Sequence, residues 1–420
     1  MSFSPQKSYE SAVSLPLLQR SRTTGCLPIP PSMSTGSFID DLLEQMLALD
    51  ASDLHLTVGT APAFRVRGRL TPATGAKSLD AEATRQAIYS ILTSEQQKQL
   101  ELDRQLDFAY SLPGIARFRV NAFFQRGWVG AAFRLVPGEI RTLDDLGLPP
   151  VLHTLAEKPR GLVLVTGPTG SGKSTTLAAI VDEINRTRAE HILTIEDPIE
   201  FLHRHQMCIV NQREIGTDAR SFAEGLRSAL RQDPDVLLVG EMRDLETIST
   251  ALTAAETGHL VFGTLHTQTA SSTIDRVIDV FPPSQQQVRI MIANSLQAVV
   301  TQTLLPTADG SGRVAALEIL LPDDAVRNLV RQAKVEQLYT VMQTSSSRGM
   351  QTMEQALADL VLRQVVDYEE ALARTTRVEQ LMGILERAGM VVGASGVPIT
   401  APVMASADSN GKTGLRVASS

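Results

Sequence analysis

A glycine-rich loop at residues 167–175, with the sequence GPTGSGKST, carries the clearest chemical signal in this chain. The loop satisfies the pattern G-x-x-x-x-G-K-[ST] and lies between the apolar run GLVLVT and a helix-forming segment. In such a loop, backbone N–H groups surround the β-phosphate of a nucleotide and the lysine reaches the β- and γ-phosphates. The sequence therefore predicts a site for ATP and Mg²⁺, with Ser174 as the metal ligand. The predicted nucleotide-binding residues are Gly167, Pro168, Thr169, Gly170, Ser171, Gly172, Lys173, Ser174 and Thr175.

Acidic residues follow two other apolar runs. Glu241 ends VLLVGE, in which Gly240 occupies the position where many nucleotide-hydrolysing proteins carry a magnesium-binding aspartate. Glu241 is therefore the candidate base, or orienter, for the attacking water. Glu196, Asp197 and Glu200 end LTIEDPIE, where carboxylates can order magnesium-bound water. The carboxyl ends of parallel strands face the nucleotide crevice, so we predict all four carboxylates there; the plain alternative is a solvated strand end.

Two histidines flank another apolar run, in TGHLVFGTLHT. His259 and His266 are seven positions apart, and an odd separation places them on opposite faces of a strand. They are therefore not expected to chelate one metal from this strand. One of them could instead sense the γ-phosphate, whereas the plain alternative is a hydrogen-bonded structural histidine.

The composition fits a folded chain of two domains with tails. The chain has 420 residues, of which 43% are hydrophobic and 20% charged. Its formal net charge of −7 argues against a protein whose affinity comes from neutralising nucleic-acid phosphates. Two cysteines cannot form a disulfide framework or a four-thiolate zinc site, which fits a reducing cytosol. No apolar run approaches the roughly 20 residues of a membrane-spanning helix, so direct membrane insertion is not expected.

The residue pattern divides the chain into six segments. Met33, just before the first strong helical pattern, is a candidate start of translation alongside Met1. The predicted segments are a disordered Ser- and Pro-rich leader at 1–36, a small α+β domain at 37–136, a linker at 137–150, an α/β core at 151–321, a helical region at 322–390 and a disordered tail at 391–420.

Strands and helices alternate within the core. The apolar runs GLVLVT, HILTIED, VLLVGE and HLVFGTL are typical of buried parallel strands, and helical patterns separate them. After Phe281 the pattern favours helices, and SQQQVRIMIANSLQAVVTQTL, AVRNLVRQ and MEQALADLVLRQ are interpreted as successive amphipathic segments.

Seven blocks of sequence together resemble the PilT-type pilus retraction ATPases. The blocks are ASDLH, GPTGSGKST, TIEDPIE, VNQREIG, DPDVLLVGEMRD, AAETGHLVFGTLHT and GMQTMEQAL. The resemblance extends from about residue 37 to 388. It implies a PAS-like N-terminal domain, a RecA-like P-loop ATPase domain with a helical C-terminal appendage, and a homohexameric ring with nucleotide sites between protomers.

The resemblance also implies roles for individual residues. Glu196, Asp197 and Glu200 match the family's aspartate box, Glu241 its catalytic glutamate, and His259 and His266 its histidine box. Arg119 in RFRVN and Arg134 in AAFR match the arginine fingers that neutralise charge on the phosphates, with Arg126 a weaker candidate. AVRNLVRQ resembles a C-terminal signature of the family, although Gln332 replaces its glutamate.

The implied function is ATP hydrolysis that drives type IV pilus retraction and twitching motility. The implied setting is the cytoplasm, at the inner face of the cytoplasmic membrane at the pilus base. An inner-membrane pilus platform protein is the implied partner, a paralogous retraction ATPase is a further candidate partner, and no nucleic acid is expected.

Four alternatives remain open at this point. An accessory retraction paralogue shares the whole pattern. A pilus-assembly or type II secretion ATPase shares the motor but typically carries a four-cysteine zinc module, for which this chain lacks the cysteines. A nucleic-acid translocase would show a more basic surface. A nucleotide-binding switch without fast hydrolysis would not need Glu241 and two arginine fingers.

Overall fold

The protein is described from a computed structural model that covers residues 37–66, 68–73, 75–281, 285–392 and 398–399. The predictions for the leader, for Met33 and for most of the tail lie outside these residues. Within the tail, Val391–Val392 and Pro398–Ile399 pair as short antiparallel strands. The predicted domain boundaries stay predictions, although the order of elements follows them.

An antiparallel six-stranded sheet lies in the first part of the chain, in the order β3-β2-β1-β6-β5-β4. Helices pack on it around a core that contains Phe64, Phe118 and Phe133. The first helix begins with a capping box formed by Ser37 and Asp40. The elements are α1 (Phe38–Ala48), β1 (Ala51–Leu56), β2 (Ala63–Val66), β3 (Arg69–Pro72), α2 (Ala81–Ser90), α3 (Ser94–Asp103), β4 (Gln105–Leu112), β5 (Ala116–Gln125) and β6 (Trp128–Val136).

A seven-stranded sheet follows, in the order β13-β12-β7-β11-β10-β8-β9. All neighbouring strands from β12 to β9 are parallel, and β13 is antiparallel to β12. The elements are α4 (His153–Ala156), β7 (Gly161–Thr166), α5 (Lys173–Thr187), β8 (His191–Glu196), β9 (Ile209–Glu214), α6 (Phe222–Ala229), β10 (Val236–Val239), α7 (Leu245–Thr257), β11 (Leu260–Leu265), α8 (Ala270–Asp279), α9 (Gln285–Ser295), β12 (Leu296–Pro306) and β13 (Arg313–Leu320).

The central strands of this sheet are buried, as their apolar sequences predict. Every residue of β7, β10 and β11 is buried, and helices cover both faces of the sheet. Because these strands are parallel, their carboxyl ends meet at one edge, where the phosphate loop and the two acidic segments also lie.

The helix predicted for SQQQVRIMIANSLQAVVTQTL is wrong beyond Ser295. Helix α9 ends there, and the chain continues directly as β12. The β-branched residues Val299, Val300 and Thr301 pair with β7 on one side and with β13 on the other. A short apolar run does not by itself distinguish a buried helix from a buried strand. Strands β4, β9 and β13 are likewise not anticipated by the residue pattern.

The C-terminal region is helical, as predicted. Helix α10 is fixed to the end of α9 by Arg327, which donates to the carbonyl oxygens of Ala293, Asn294 (3.2 Å) and Leu296 (3.2 Å). The Gln332 side chain donates to the Asn328 side chain of the same block, at 3.1 Å. The helices are α10 (Asp324–Arg331), α11 (Leu338–Thr344), α12 (Met353–Leu362), α13 (Tyr368–Arg374) and α14 (Val378–Arg387).

Candidate nucleotide site

The phosphate loop connects β7 to α5, as the sequence predicts. The Lys173 ammonium donates to the carbonyl oxygens of Gly167 at 2.8 Å and Pro168 at 3.1 Å, so the lysine folds back across its own loop. Burial lowers the pKa of Lys173, while the charges of Glu241 and Glu200 raise it. A phosphate bound in the loop would offer the Lys173 ammonium a charged acceptor in place of two neutral carbonyl oxygens. Hydrogen bonds between two charged groups are stronger than those to neutral acceptors.

A small cavity of about 70 Å³ lies beside Ser174. Its lining includes all three residues predicted as the aspartate box, Glu196, Asp197 and Glu200. These oxygen donors are the class that Mg²⁺ prefers. Within the described ranges, no three acidic, histidine or cysteine side chains converge as a closed metal cage. The residues that would hold Mg²⁺ here are Ser174, together with substrate phosphates, and the carboxylates would act through water.

Glu196 is partly buried between β8 and β9. Thr194 donates to its carboxylate at 2.6 Å and Gln212 at 3.1 Å. Burial raises the pKa of Glu196, although both hydrogen bonds act to lower it. Gln212 also donates to the Phe201 carbonyl at 2.9 Å and accepts from the His203 N–H at 2.8 Å. Gln212 therefore fixes the acidic loop that follows β8 to strand β9. The motif VNQREIG contains this glutamine, but the motif alone does not predict this function.

Glu241 and His266 are brought together by the ends of β10 and β11. The His266 Nε2 lies 2.8 Å from the Glu241 carboxylate, which Arg243 also contacts. Burial alone would raise the pKa of Glu241, but Arg243 and His266 together hold it below its usual range. The carboxylate is therefore ionised at neutral pH, as a base must be.

The glycine before Glu241 has a steric cause. A side chain at Gly240 would place its Cβ 3.1 Å from the Ile195 carbonyl oxygen and 3.2 Å from the Glu196 Cα. The close approach of β10 to the end of β8 therefore makes any side chain at this position a tight fit, which the β8 backbone would have to shift by a few tenths of an ångström to accept. Acidic groups come instead from β8 and from Glu241.

The structure does not bring His259 to the other predicted site residues. His259 precedes β11, and its Nδ1 lies 3.0 Å from the Ala254 carbonyl at the end of α7. His266 follows the same strand, so the two histidines are roughly 20 Å apart at about 3.3 Å per strand residue. In this chain His259 contacts a helix end, and His266 alone reaches Glu241.

The predicted arginine fingers lie side by side in the first sheet. Arg119 on β5 pairs in register with Arg134 on β6, and Arg134 pairs with Asp53 on β1. Arg134 is ion-paired to Asp53 at 2.8 Å, so the aspartate of ASDLH orients this arginine. Arg119 is half-exposed, lies 3.8 Å from Asp107, and borders a cleft of about 410 Å³ that Asp197 also lines. Arg126, the weaker candidate, lies in the β5–β6 turn with φ 50°.

A third arginine, Arg117, was missed by sequence reasoning. Its guanidinium bonds to Glu214 at 3.0 Å, and the same carboxylate oxygen accepts the Ile199 N–H at 3.1 Å. Glu214 is buried. One carboxylate thus joins β5 of the first sheet to β9 of the second and to the acidic loop. Ninety-seven residues separate the two charges, and no local pattern marks such a pair.

Arg119→Ala is expected to lower the turnover of ATP by about 10²-fold or more, because the loss of a charge that neutralises the phosphates removes transition-state stabilisation. Release of inorganic phosphate at saturating ATP measures the effect. The matched control is Arg69→Ala at the exposed edge strand β3, which should keep wild-type turnover. Full activity in Arg119→Ala would remove this residue from the site.

This chain is similar in sequence to one protein family and to individual proteins within it. The model of the family described as type II/IV secretion system protein matches residues 34–311. The type IV pilus retraction ATPase PilT of Pseudomonas aeruginosa is 52% identical over 334 residues, which cover 79% of this chain and 96% of PilT. The type IV pilus ATPase PilU of the same organism is 42% identical over 343 residues, 81% of this chain and 90% of PilU.

A solved structure agrees with the sequence relatives. The crystal structure of the pilus retraction motor PilT with bound ADP superposes with a TM-score of 0.78 at 47% identity, covering 83% of this chain and 99% of that one. This match confirms the predicted α/β fold, with an N-terminal domain followed by an ATPase domain. Within the residues that the structure describes, no helix is long and apolar enough to cross a membrane. The chain therefore belongs to the type II/IV secretion system protein family, among its pilus retraction ATPases.

Proposed function

We propose that this protein is a homohexameric motor that hydrolyses ATP to drive type IV pilus retraction and so supports twitching motility. One observation carries the proposal: the loop around Lys173 shares an edge of the sheet with Glu241, which is ionised and paired with His266 at 2.8 Å. That combination provides both a grip on the triphosphate and a base for water.

In the proposed reaction, the loop backbone and Lys173 hold the β- and γ-phosphates. Glu241 accepts a proton from water as the water oxygen bonds to the γ-phosphorus and the bond to the β–γ bridging oxygen breaks. His266 holds Glu241 in place, which its 2.8 Å contact with the carboxylate supports, and responds to the γ-phosphate. Mg²⁺, when bound at Ser174, neutralises phosphate charge.

Arg119 and Arg134 act from the first sheet. Arg119 already borders the cleft that contains Asp197, and closure of this cleft would bring its guanidinium towards the phosphates. In the proposed ring, each N-terminal domain moves against a neighbouring ATPase domain as nucleotide exchanges, which converts hydrolysis into rotation. We place the motor in the cytoplasm against an inner-membrane pilus platform protein, with a paralogous retraction ATPase as a second partner.

The main alternative within this class is an accessory retraction ATPase. Identity to the PilT relative exceeds identity to the PilU relative by ten percentage points, 52% against 42%, which favours the main motor.

Deletion of the gene and imaging of the pili test the proposal. Hyperpiliated cells that cannot retract are expected, and wild-type protein but not the Glu241→Gln variant should restore retraction. Cells without pili would indicate an assembly ATPase instead. Cells with a normal number of pili that still retract would indicate an accessory role.

A further inference from the structure

Gln302 on β12 lies directly beneath the phosphate loop. Its side chain is buried with 3% of its surface exposed. The amide Nε2 donates to the Ser171 carbonyl at 2.7 Å, and the amide oxygen accepts from the Thr176 hydroxyl at 2.8 Å. These two partners lie on either side of Lys173, one in the loop and one in the first turn of α5. A single side chain therefore spans the segment that surrounds a β-phosphate.

Two glycines of the loop are in close contact with the same residue. A Cβ at Gly167 would lie 2.2 Å from the Gln302 carbonyl oxygen, and a Cβ at Gly172 would lie 2.7 Å from its Nε2. Both glycines also have positive φ, at 136° and 89°. The spacing of glycines in this loop thus serves two needs, the turn towards phosphate and the close approach of Gln302.

The strand that carries Gln302 is fixed to the strand that precedes the loop. Thr301 pairs in register with Thr166, and their hydroxyls are 2.9 Å apart in the interior. Gln302 is therefore anchored at the point where β7 ends and the loop begins. Without Gln302, the Ser171 carbonyl and the Thr176 hydroxyl would each lose a buried hydrogen-bond partner, which costs free energy.

We propose that Gln302 is a positioning residue for nucleotide binding, which holds the phosphate loop open before the nucleotide arrives. It acts through the backbone of Ser171 and the side chain of Thr176 and contacts no reacting group. The inference rests on the nucleotide site within the proposed function and is independent of pilus retraction.

Gln302→Met removes both hydrogen bonds at nearly constant volume. We expect affinity for ADP and ATP to fall by about tenfold or more, while turnover at saturating ATP stays within about threefold, because Glu241, His266 and Arg119 are untouched. This division between KM and kcat separates positioning of the loop from a general loss of structure. Gln297→Met, at the start of the same strand, is the matched control and should bind nucleotide as the wild type does.

A double-mutant cycle makes the test specific. Thr176→Val removes one of the two contacts and is expected to weaken ADP binding by about threefold. The double variant should then lose less ADP affinity than the product of the two single losses, because both substitutions remove the same contact. Titration of full-length protein with a fluorescent ADP analogue measures affinity, and thermal unfolding without nucleotide monitors the fold. ADP binding is read without turnover, so the test holds even if the protein hydrolyses no ATP.

Each outcome decides the proposal. Unchanged ADP affinity in Gln302→Met, or a fall in kcat with unchanged affinity, would overturn it. If Gln302→Met does not fold, Thr176→Val decides alone: weaker ADP binding with an unchanged unfolding temperature supports the proposal, and wild-type binding refutes it.

Discussion

Lys173→Ala should bind ATP about 100-fold more weakly and release almost no phosphate, since two charge-assisted hydrogen bonds to phosphate, each worth about 1.5 kcal/mol or more, are lost. The expected loss is large because the ammonium is buried, so water cannot substitute for it well. Its present acceptors, the carbonyl oxygens of Gly167 and Pro168, also lose their donor.

ATP affinity by isothermal titration, with phosphate release in parallel, measures the effect of Lys173→Ala. Lys98→Ala on the exposed surface of α3 removes the same charge elsewhere and should leave both quantities unchanged. Normal ATP turnover in Lys173→Ala would contradict the assignment of this loop as the phosphate site.

Glu241→Gln should retain ATP binding but lower the rate of phosphate release by about 10²-fold or more, because an amide cannot accept the proton of the attacking water. The amide oxygen can still accept from His266, so the local structure should persist. Arg243 and His266 hold the pKa of Glu241 below its ordinary value of 4.5, so the base stays charged above that pH. Titration of Glu241 should therefore not limit turnover between about pH 5 and pH 8.

Single-turnover phosphate release after loading with ATP isolates the chemical step in Glu241→Gln. Glu246→Gln, on the exposed side of α7, is the matched control with the same change of charge. Wild-type single-turnover rates in Glu241→Gln would transfer the role of base to another group.

Local patterns in the sequence were sufficient for the parts of the site that lie on one strand end. The glycine loop, the acidic ends of β8 and β10 and the buried apolar strands all have short-range signatures, and the structure places each of them on the strand, or at the strand end, that its pattern predicts. His259 and His266 lie at opposite ends of β11, as the sequence pattern predicts, but no local signature indicates which of the two contacts Glu241.

Long-range pairings account for what the sequence did not predict. Gln302 meets Ser171 across 131 residues, and Arg117 meets Glu214 across 97. Neither pairing follows from periodicity, because each depends on which strands become neighbours in the sheets. The same cause explains the error at β12, where contacts with β7 and β13 decide between strand and helix.

The hydrogen bonds of Arg327 at the end of α9 also connect helix α10 to the phosphate loop. One of its acceptors is the carbonyl of Leu296, the first residue of the strand that carries Gln302. Six residues of extended chain, roughly 20 Å at about 3.3 Å each, therefore connect helix α10 to the floor of the phosphate loop. From Val299 to Thr301, β12 is hydrogen-bonded to a neighbouring strand on each side, so the sheet holds in place the strand that joins this helix to the loop.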